Sequence, residues 1–236
     1  MTSLHDKVVL ITGGSKGIGY GIAEILLKEG AKVAVTSRTQ AAADDAASGL
    51  KKHGAHVLAI AADVRDASSQ QKAVQRVLGE WGRLDVLVAN AGLGYFDSIE
   101  NLTTEQWNET IDTNLTGVFH SVKACIPALK DSKGYIITIA SLAGTNFFAG
   151  GAAYNASKFG LVGFTQAIML DLRKCGIKVS TIMPGSVATH FNGNEPAESD
   201  SWKIQPEDIG QMVADLLKMN PRTLPSKIEV RPSNPK

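Results

Sequence analysis

The chain has 236 residues, 44% of them hydrophobic, and a formal net charge of +1. That length suffices for one α/β domain with a large core. The near-neutral balance excludes the basic footprint of a nucleic-acid binder or of a protein drawn to anionic lipid, and no apolar run approaches a membrane span. The only cysteines, Cys125 and Cys175, lie far apart in helical patterns, which suits a reducing compartment and a cytoplasmic location. Met1 to Asp6 is short and polar and does not read as a signal peptide.

The first element is an apolar run, Lys7 to Ile11, read as a buried strand. Thr12 to Gly19 follows as a tight turn, and Tyr20 to Glu29 has helical periodicity with Ile22, Ile25, Leu26 and Leu27 on one face. Strand, glycine turn and helix open a nucleotide-binding α/β sheet. Gly13 permits the sharp turn, and Gly17 and Gly19 keep Cβ atoms away from a pyrophosphate on the helix N–H groups, with Ser15, Lys16 and Ile18 between them. The spacing is TGxxxGxG rather than GxGxxG, and Gly19-Tyr20 lacks the Gly-Lys-Ser/Thr ending of a P-loop.

Strands are then expected over Ala31–Ser37, His56–Ala61, Leu84–Ala89, Gly134–Ala140, Ile177–Met183 and Lys227–Val230. Helices are expected from Thr39-Gln40 to about His53-Gly54, from about Ala67 to Trp81, in one long stretch from about Thr104 toward Leu129, from Tyr154 to Cys175, and near Pro206 to Met219. There are no repeats or low-complexity linkers, so 1–236 reads as a single domain with a short substrate loop at about 186–205. Strand and helix alternate and the strands are continuous apolar runs. The expected fold class is α/β: a doubly wound parallel sheet (Rossmann fold) of about seven strands with helices on both faces.

Ligands of such a sheet bind beyond the carboxyl ends of its strands. Those ends read Gly13, Arg38, Asp63, Asn90, Ser141 and Pro184-Gly185, enough to outline a dinucleotide crevice. After the second strand, where an acidic residue would bind an NAD ribose, the chain has Ser37-Arg38; a guanidinium suits a 2′-phosphate, and Lys16 adds a second cation. NADP(H) is therefore expected over NAD(H).

Tyr154 and Lys158 stand at i and i+4, on one face of a helix. A phenol titrates near ~10 and is a poor acid at neutral pH. A cation beside it is expected to lower that value by roughly 1–3 units. His53 and His56 have no Cys or carboxylate partners spaced for a metal, so no metal is expected.

Taken together these residues resemble the short-chain dehydrogenase/reductase family over nearly the whole chain. Thr12 to Gly19 matches its cofactor turn, Asp63-Val64 its adenine-side contact, and Asn90-Ala91-Gly92 its NNAG signature with Ala89 in place of the first Asn. Asn114, Ser141, Tyr154 and Lys158 match its catalytic four in order and spacing, and Pro184-Gly185 with Val187 and Thr189 the segment closing over the nicotinamide. The resemblance implies hydride transfer between the nicotinamide and a carbonyl carbon. Tyr154 is the general acid and Ser141 holds the carbonyl oxygen. Lys158 acts on the tyrosine and the ribose, and Asn114 holds a water linking Lys158 to solvent.

Leu93, Tyr95, Phe148 and Phe191 are expected to line the substrate pocket, with Phe96, Leu142, Phe147 and Trp202 as further candidates, which suggests an apolar or aromatic carbonyl compound. The chain also resembles the 3-oxoacyl-(acyl-carrier-protein) reductase branch. Lys130, Lys133, Arg173 and Lys174 are candidates for receiving an acidic carrier. The ending Lys227 to Pro232 departs from the glycine-rich closing strand common in that branch. Two rivals share the motifs, a nucleotide-sugar epimerase or dehydratase and a non-catalytic dinucleotide sensor. The short stretch after Pro184 argues against the first, and the intact catalytic four against the second. The family implies a homodimer or homotetramer through helices at about 104–129 and 154–175.

Overall fold

The apolar runs assemble into one sheet. A computed structural model describes residues 3–235. The strands are β1 (Val8–Ile11), β2 (Lys32–Ser37), β3 (Val57–Ala61), β4 (Val86–Ala89), β5 (Tyr135–Ile139), β6 (Lys178–Pro184) and β7 (Lys227–Val230). They lie in the order β3-β2-β1-β4-β5-β6-β7, every pair parallel. The chain winds outward from β1 to β3, returns to pair β4 with β1, and winds outward again. That is the doubly wound Rossmann arrangement, with its switch point between β1 and β4.

The helices are α1 (Gly17–Lys28), α2 (Gln40–Leu50), α3 (Ala67–Trp81), α4 (Thr104–Ile111), α5 (Gly117–Ser132), α6 (Ala152–Leu172) and α7 (Pro206–Lys218). The pleat divides the core between two faces. Val9 and Ile11 of β1 pack with Ile22 and Leu26 of α1 and with Ile209 and Val213 of α7. Val8 and Leu10 pack on the other face with Val77 of α3, Val122 and Leu129 of α5, and Leu161 of α6. Both faces are covered, which is why the strands read as unbroken apolar runs.

Two boundaries differ from expectation in ways that matter for the site. Helix α1 begins inside the glycine turn, at Gly17 rather than Tyr20. The long helix expected from Thr104 toward Leu129 is interrupted by a π-helical turn, Asp112–Thr116, between α4 and α5. A π turn takes in an extra residue, and such turns are frequent at functional sites. This one carries Asn114, which is fully buried.

Asp85, just before β4, is 3% exposed and fastens the start of β1. Its carboxylate accepts from the Val8 N–H at 3.0 Å, from Lys7 Nζ at 3.2 Å, and from Arg83 Nε and Nη2 at 2.9 and 2.6 Å. Burial pushes its pKa up, but Arg83, the Val8 amide and Lys7 outweigh it and hold it below the ordinary 3.8. A depressed folded-state pKa gives stability that is present above the unfolded value and lost as pH falls through the folded one. Asp85→Ala, which orphans the Val8 N–H, is expected to cost about 2 kcal/mol in urea unfolding at pH 7. The gap between variant and wild type is expected to narrow below pH 3.8.

Candidate active site

All strands being parallel, their carboxyl ends share one rim. There the ends of β1 and β4 are clasped together. The Asn90 and Ala91 N–H groups both donate to Thr12 Oγ1, at 3.0 and 3.1 Å, and Asn90 Nδ2 donates to the carbonyls of Thr12 and Gly13, both at 3.0 Å. Gly19 is buried against this clasp: a Cβ there would stand 2.5 Å from Asn90 Nδ2 and 2.6 Å from the Gly13 oxygen. Gly19 is packed against the clasp and does not line the crevice. Gly17, at φ +57°, turns the chain into α1, whose start has no side-chain cap.

A crevice of about 890 Å³ runs along the rim. Gly13, Ser15, Lys16, Gly17 and Ile18 form one wall and Ser37, Arg38, Asp63 and Val64 one end. Asn90, Ala91, Gly92 and Leu93 form the floor, and Pro184, Gly185, Val187, Thr189 and Phe191 the opposite wall. Ser141, Tyr154, Lys158 and Phe148 close the other end. Of the expected site residues, Gly19, Asn114 and Tyr95 stand off this surface, as do Leu142, Phe147 and Trp202 among the further pocket candidates.

Each of the side chains expected to react has an identifiable support. Ser141, in extended backbone after β5, accepts from the Ala143 N–H at 3.1 Å and donates to the Pro184 carbonyl at 3.5 Å. Buried Asn155, which the sequence reading did not single out, donates to the Ala143 and Asn146 carbonyls at 2.8 Å each and so ties the Ser141 loop to α6. Lys158, 5% exposed, donates to the Ile139 carbonyl at 3.1 Å and lies 5.6 Å from the Tyr154 ring centre. Asn114 spends both of its donors: Nδ2 donates to the Leu93 carbonyl at 2.8 Å and to Ser157 Oγ at 3.0 Å, while Oδ1 accepts from the Leu93 N–H at 2.9 Å. It braces the floor under Lys158, and its side-chain donors are already spent.

The electrostatics reverse one expectation. Burial pushes the Tyr154 phenol above its usual value, with Ser141 pulling partly back, and burial brings Lys158 down from 10.5 to about 8. The ammonium expected to acidify the phenol is itself desolvated, and loss of water sets the direction of both shifts.

Tyr95 turns away from the crevice and donates its hydroxyl to Glu109 Oε2 at 2.7 Å. Phe96 takes the place expected of it, its ring 5.3 Å from Tyr154, 5.9 Å from Phe148 and 6.2 Å from Phe191. Asp63 gives its carboxylate to Arg65, whose Nη2 lies 2.7 Å away. Arg65, one position beyond the expected Asp63-Val64 contact, is a wall residue that the sequence reading missed. Lys133 sits before β5, and Arg173 and Lys174 before β6; Lys130 lies in the last turn of α5. These are the amino ends of the strands, so the four cations proposed for a carrier occupy the rim opposite the crevice.

The model of the short chain dehydrogenase family matches residues 7–200. The chain belongs to the short-chain dehydrogenase family. It is 37% identical to a 3-oxoacyl-[acyl-carrier-protein] reductase of Synechocystis, over 84% of this chain and 81% of that one. It is 32% identical to glycine betaine reductase ATRR of Emericella nidulans, matching 97% of this chain but 19% of that much longer protein. An alcohol dehydrogenase from Thermococcus sibiricus, complexed with 5-hydroxy-NADP, superposes with a TM-score of 0.91 at 30% identity, covering 98% of this chain and 100% of that one. A 3-ketoacyl-(acyl-carrier-protein) reductase from Brucella melitensis, complexed with NADH, gives a TM-score of 0.89 at 28% identity over 98% and 99% of the two chains.

The crevice of this short-chain dehydrogenase fits a dinucleotide on its own observations. The uncapped start of α1, the Cβ-free turn at Gly17 and exposed Lys16 lie on one wall, and exposed Arg38 lies at the end beside it. A desolvated cation in such a site costs stability. The folded chain holds fewer protons on Lys158 than the unfolded chain between pH 8 and 10.5, so this group makes stability rise with pH across that window. Lys158→Met is expected to be more stable than wild type at pH 7 by about 2 kcal/mol in urea unfolding. The difference is expected to shrink toward pH 10.

Proposed function

We infer that this protein is an NADP(H)-dependent oxidoreductase that interconverts a carbonyl compound and its alcohol, with Tyr154 as general acid and base. The observation that carries the reading is the convergence of Ser141, Tyr154 and Lys158 at one end of a crevice whose wall carries Lys16 and whose other end holds Arg38. A nicotinamide, when bound, supplies or accepts the hydride. Gly13, Ser15, Lys16, Gly17 and Ile18 would receive its pyrophosphate, Ser37 and Arg38 a 2′-phosphate, and Asp63 and Val64 the adenine. Asn90, Ala91, Gly92, Pro184, Gly185, Val187 and Thr189 would enclose the remainder.

The residues then divide the proton work. In reduction the Tyr154 hydroxyl gives its proton to the carbonyl oxygen, and the Ser141 hydroxyl holds that oxygen in line. Lys158 places its ammonium beside the tyrosine and offers a donor to the ribose. Asn114 keeps the Leu93 backbone, and with it the floor under Lys158, in place. A phenol raised above its usual value stays protonated through neutral pH but is a weaker acid for it, and the positive charge of an oxidised nicotinamide, when bound, would act to lower it again. Carbonyl reduction consumes a proton, so the equilibrium moves toward oxidation of the alcohol as pH rises.

The substrate side, walled by Leu93, Phe96, Phe148 and Phe191, supports an apolar or aromatic carbonyl compound. The Lys130, Lys133, Arg173 and Lys174 cluster gives no support to a carrier-bound one, because it lies on the far rim. Trp107, Phe119, Phe159 and Leu170 are exposed on α4, α5 and α6 and support a homodimer or homotetramer formed through those helices. No helix among the described residues is long and apolar enough to cross a membrane.

Purified protein with NADPH, and NADH in parallel, is to be mixed with a panel of aryl, alkyl and carrier-linked ketones and followed at the nicotinamide absorbance. Oxidation of NADPH by aryl or alkyl ketones is expected. Tight binding without turnover on any carbonyl would instead make the protein a sensor. Tyr154→Phe is expected to lower kcat by about a hundredfold or more while the NADPH Kd changes by less than about threefold.

A further inference from the structure

Arg38, the residue on which the NADP(H) reading depends, does not stand alone. Its Nη1 lies 3.9 Å from Glu109 Oε1, and Nη1 of Arg65 lies 3.4 Å from the same oxygen. Arg65 is held from its other side by Asp63, at 2.7 Å. Two guanidinium groups therefore face two carboxylates, and the cluster is neutral. Asp112, one turn of chain beyond Glu109, adds a further negative field at Arg65, whose pKa is raised by Asp63 first and by Glu109 and Asp112 more weakly. Glu109 is kept at this spot by the Tyr95 hydroxyl, which donates to its second oxygen, Oε2, at 2.7 Å.

We propose that Glu109 is the specificity-determining residue of the cofactor end: a resident anion that competes with the 2′-phosphate for Arg38 and Arg65 and so weakens the preference for NADP(H) over NAD(H). The proposal rests on the NADP(H) reading above. The two contacts to Glu109 Oε1 are long, and Arg38 is 71% exposed, so this is a screened surface pair that a dianion displaces. Being weak, it sets a small effect. A cofactor without a 2′-phosphate leaves the Arg38–Glu109 pair in place and is indifferent to it. Glu109 and the phosphate never share Arg38 on equal terms, because the acid is anchored on Tyr95 and the phosphate brings the larger charge.

The test measures binding, not turnover. Dissociation constants for NADPH and NADH are read from quenching of protein fluorescence, and that for adenosine 2′,5′-bisphosphate by calorimetry. Glu109→Gln keeps an oxygen to accept from Tyr95 and removes only the charge. It is expected to tighten NADPH and the bisphosphate about three- to fivefold, with NADH moved by less than about twofold. Glu109→Met, which removes the charge by another route, is expected to shift the NADPH-to-NADH ratio the same way. Tyr95→Phe keeps the charge and is expected to leave that ratio within about twofold of wild type. An unchanged or reduced preference in Glu109→Gln, or an equal shift in Tyr95→Phe, overturns the proposal while the cofactor reading stands. Failure of the wild type to bind NADPH, NADH and the bisphosphate alike overturns both.

Discussion

The hydroxyl of Thr12 accepts two backbone N–H groups from the neighbouring strand end, and the Asn90 amide returns two bonds to the carbonyls of Thr12 and Gly13. Neither side chain reaches the reacting groups. Both sit at the switch point, where crossovers depart in opposite directions and leave the strand ends with nothing above them to pair with. A parallel sheet must satisfy those terminal polar groups somehow. Here the bonds that satisfy them also fix the height of the glycine turn against the Asn90-Ala91-Gly92 floor. Gly19 lets that contact close, with no space for a methyl group between turn and floor. Everything that lines the crevice takes its position from this clasp or from the strand ends beside it.

From there the site grows by bracing one end group with the next. Leu93, three residues beyond Asn90, is held by Asn114, and Asn114 is held by Ser157 of α6. Tyr154 and Lys158 flank Ser157 on that helix. The π turn matters here because it carries the Asn114 amide, buried on the inner side of α4 and α5, to the floor. The Ser141 loop is fixed to the same helix by Asn155. One helix, α6, thus carries the phenol and the ammonium and also the two amide and hydroxyl contacts that position what surrounds them.

The fold and most of the site could be read in the sequence for a common reason. A parallel α/β sheet converts a one-dimensional pattern into a spatial rule: whatever follows a strand lies on the crevice rim, and whatever precedes it lies on the other. Gly13, Arg38, Asp63, Asn90, Ser141 and Pro184 obey it. Lys133, Arg173 and Lys174 obey it too, and the rule applied to them would have placed them away from the crevice without any coordinates. What was not legible depends on how neighbours turn. Nothing in the residue types around Asn114 marks a π turn, because helical propensity is nearly indifferent to one extra residue. The sign of the Tyr154 shift depends on how much water both partners lose, and spacing on a helix says nothing about depth. Arg65 was passed over because its neighbour Asp63 was read as the contact, whereas the carboxylate is spent holding that arginine.

Tyr95 and Phe96 show how a loop can serve two ends of one crevice. Tyr95 reaches Glu109 among the arginines, and Phe96, next in the chain, reaches the ring of Tyr154. Of these two neighbouring pocket candidates, Phe96 lines the crevice and Tyr95 does not. The carboxylate that faces Arg38 is anchored by a residue covalently next to the aromatic wall beside the phenol.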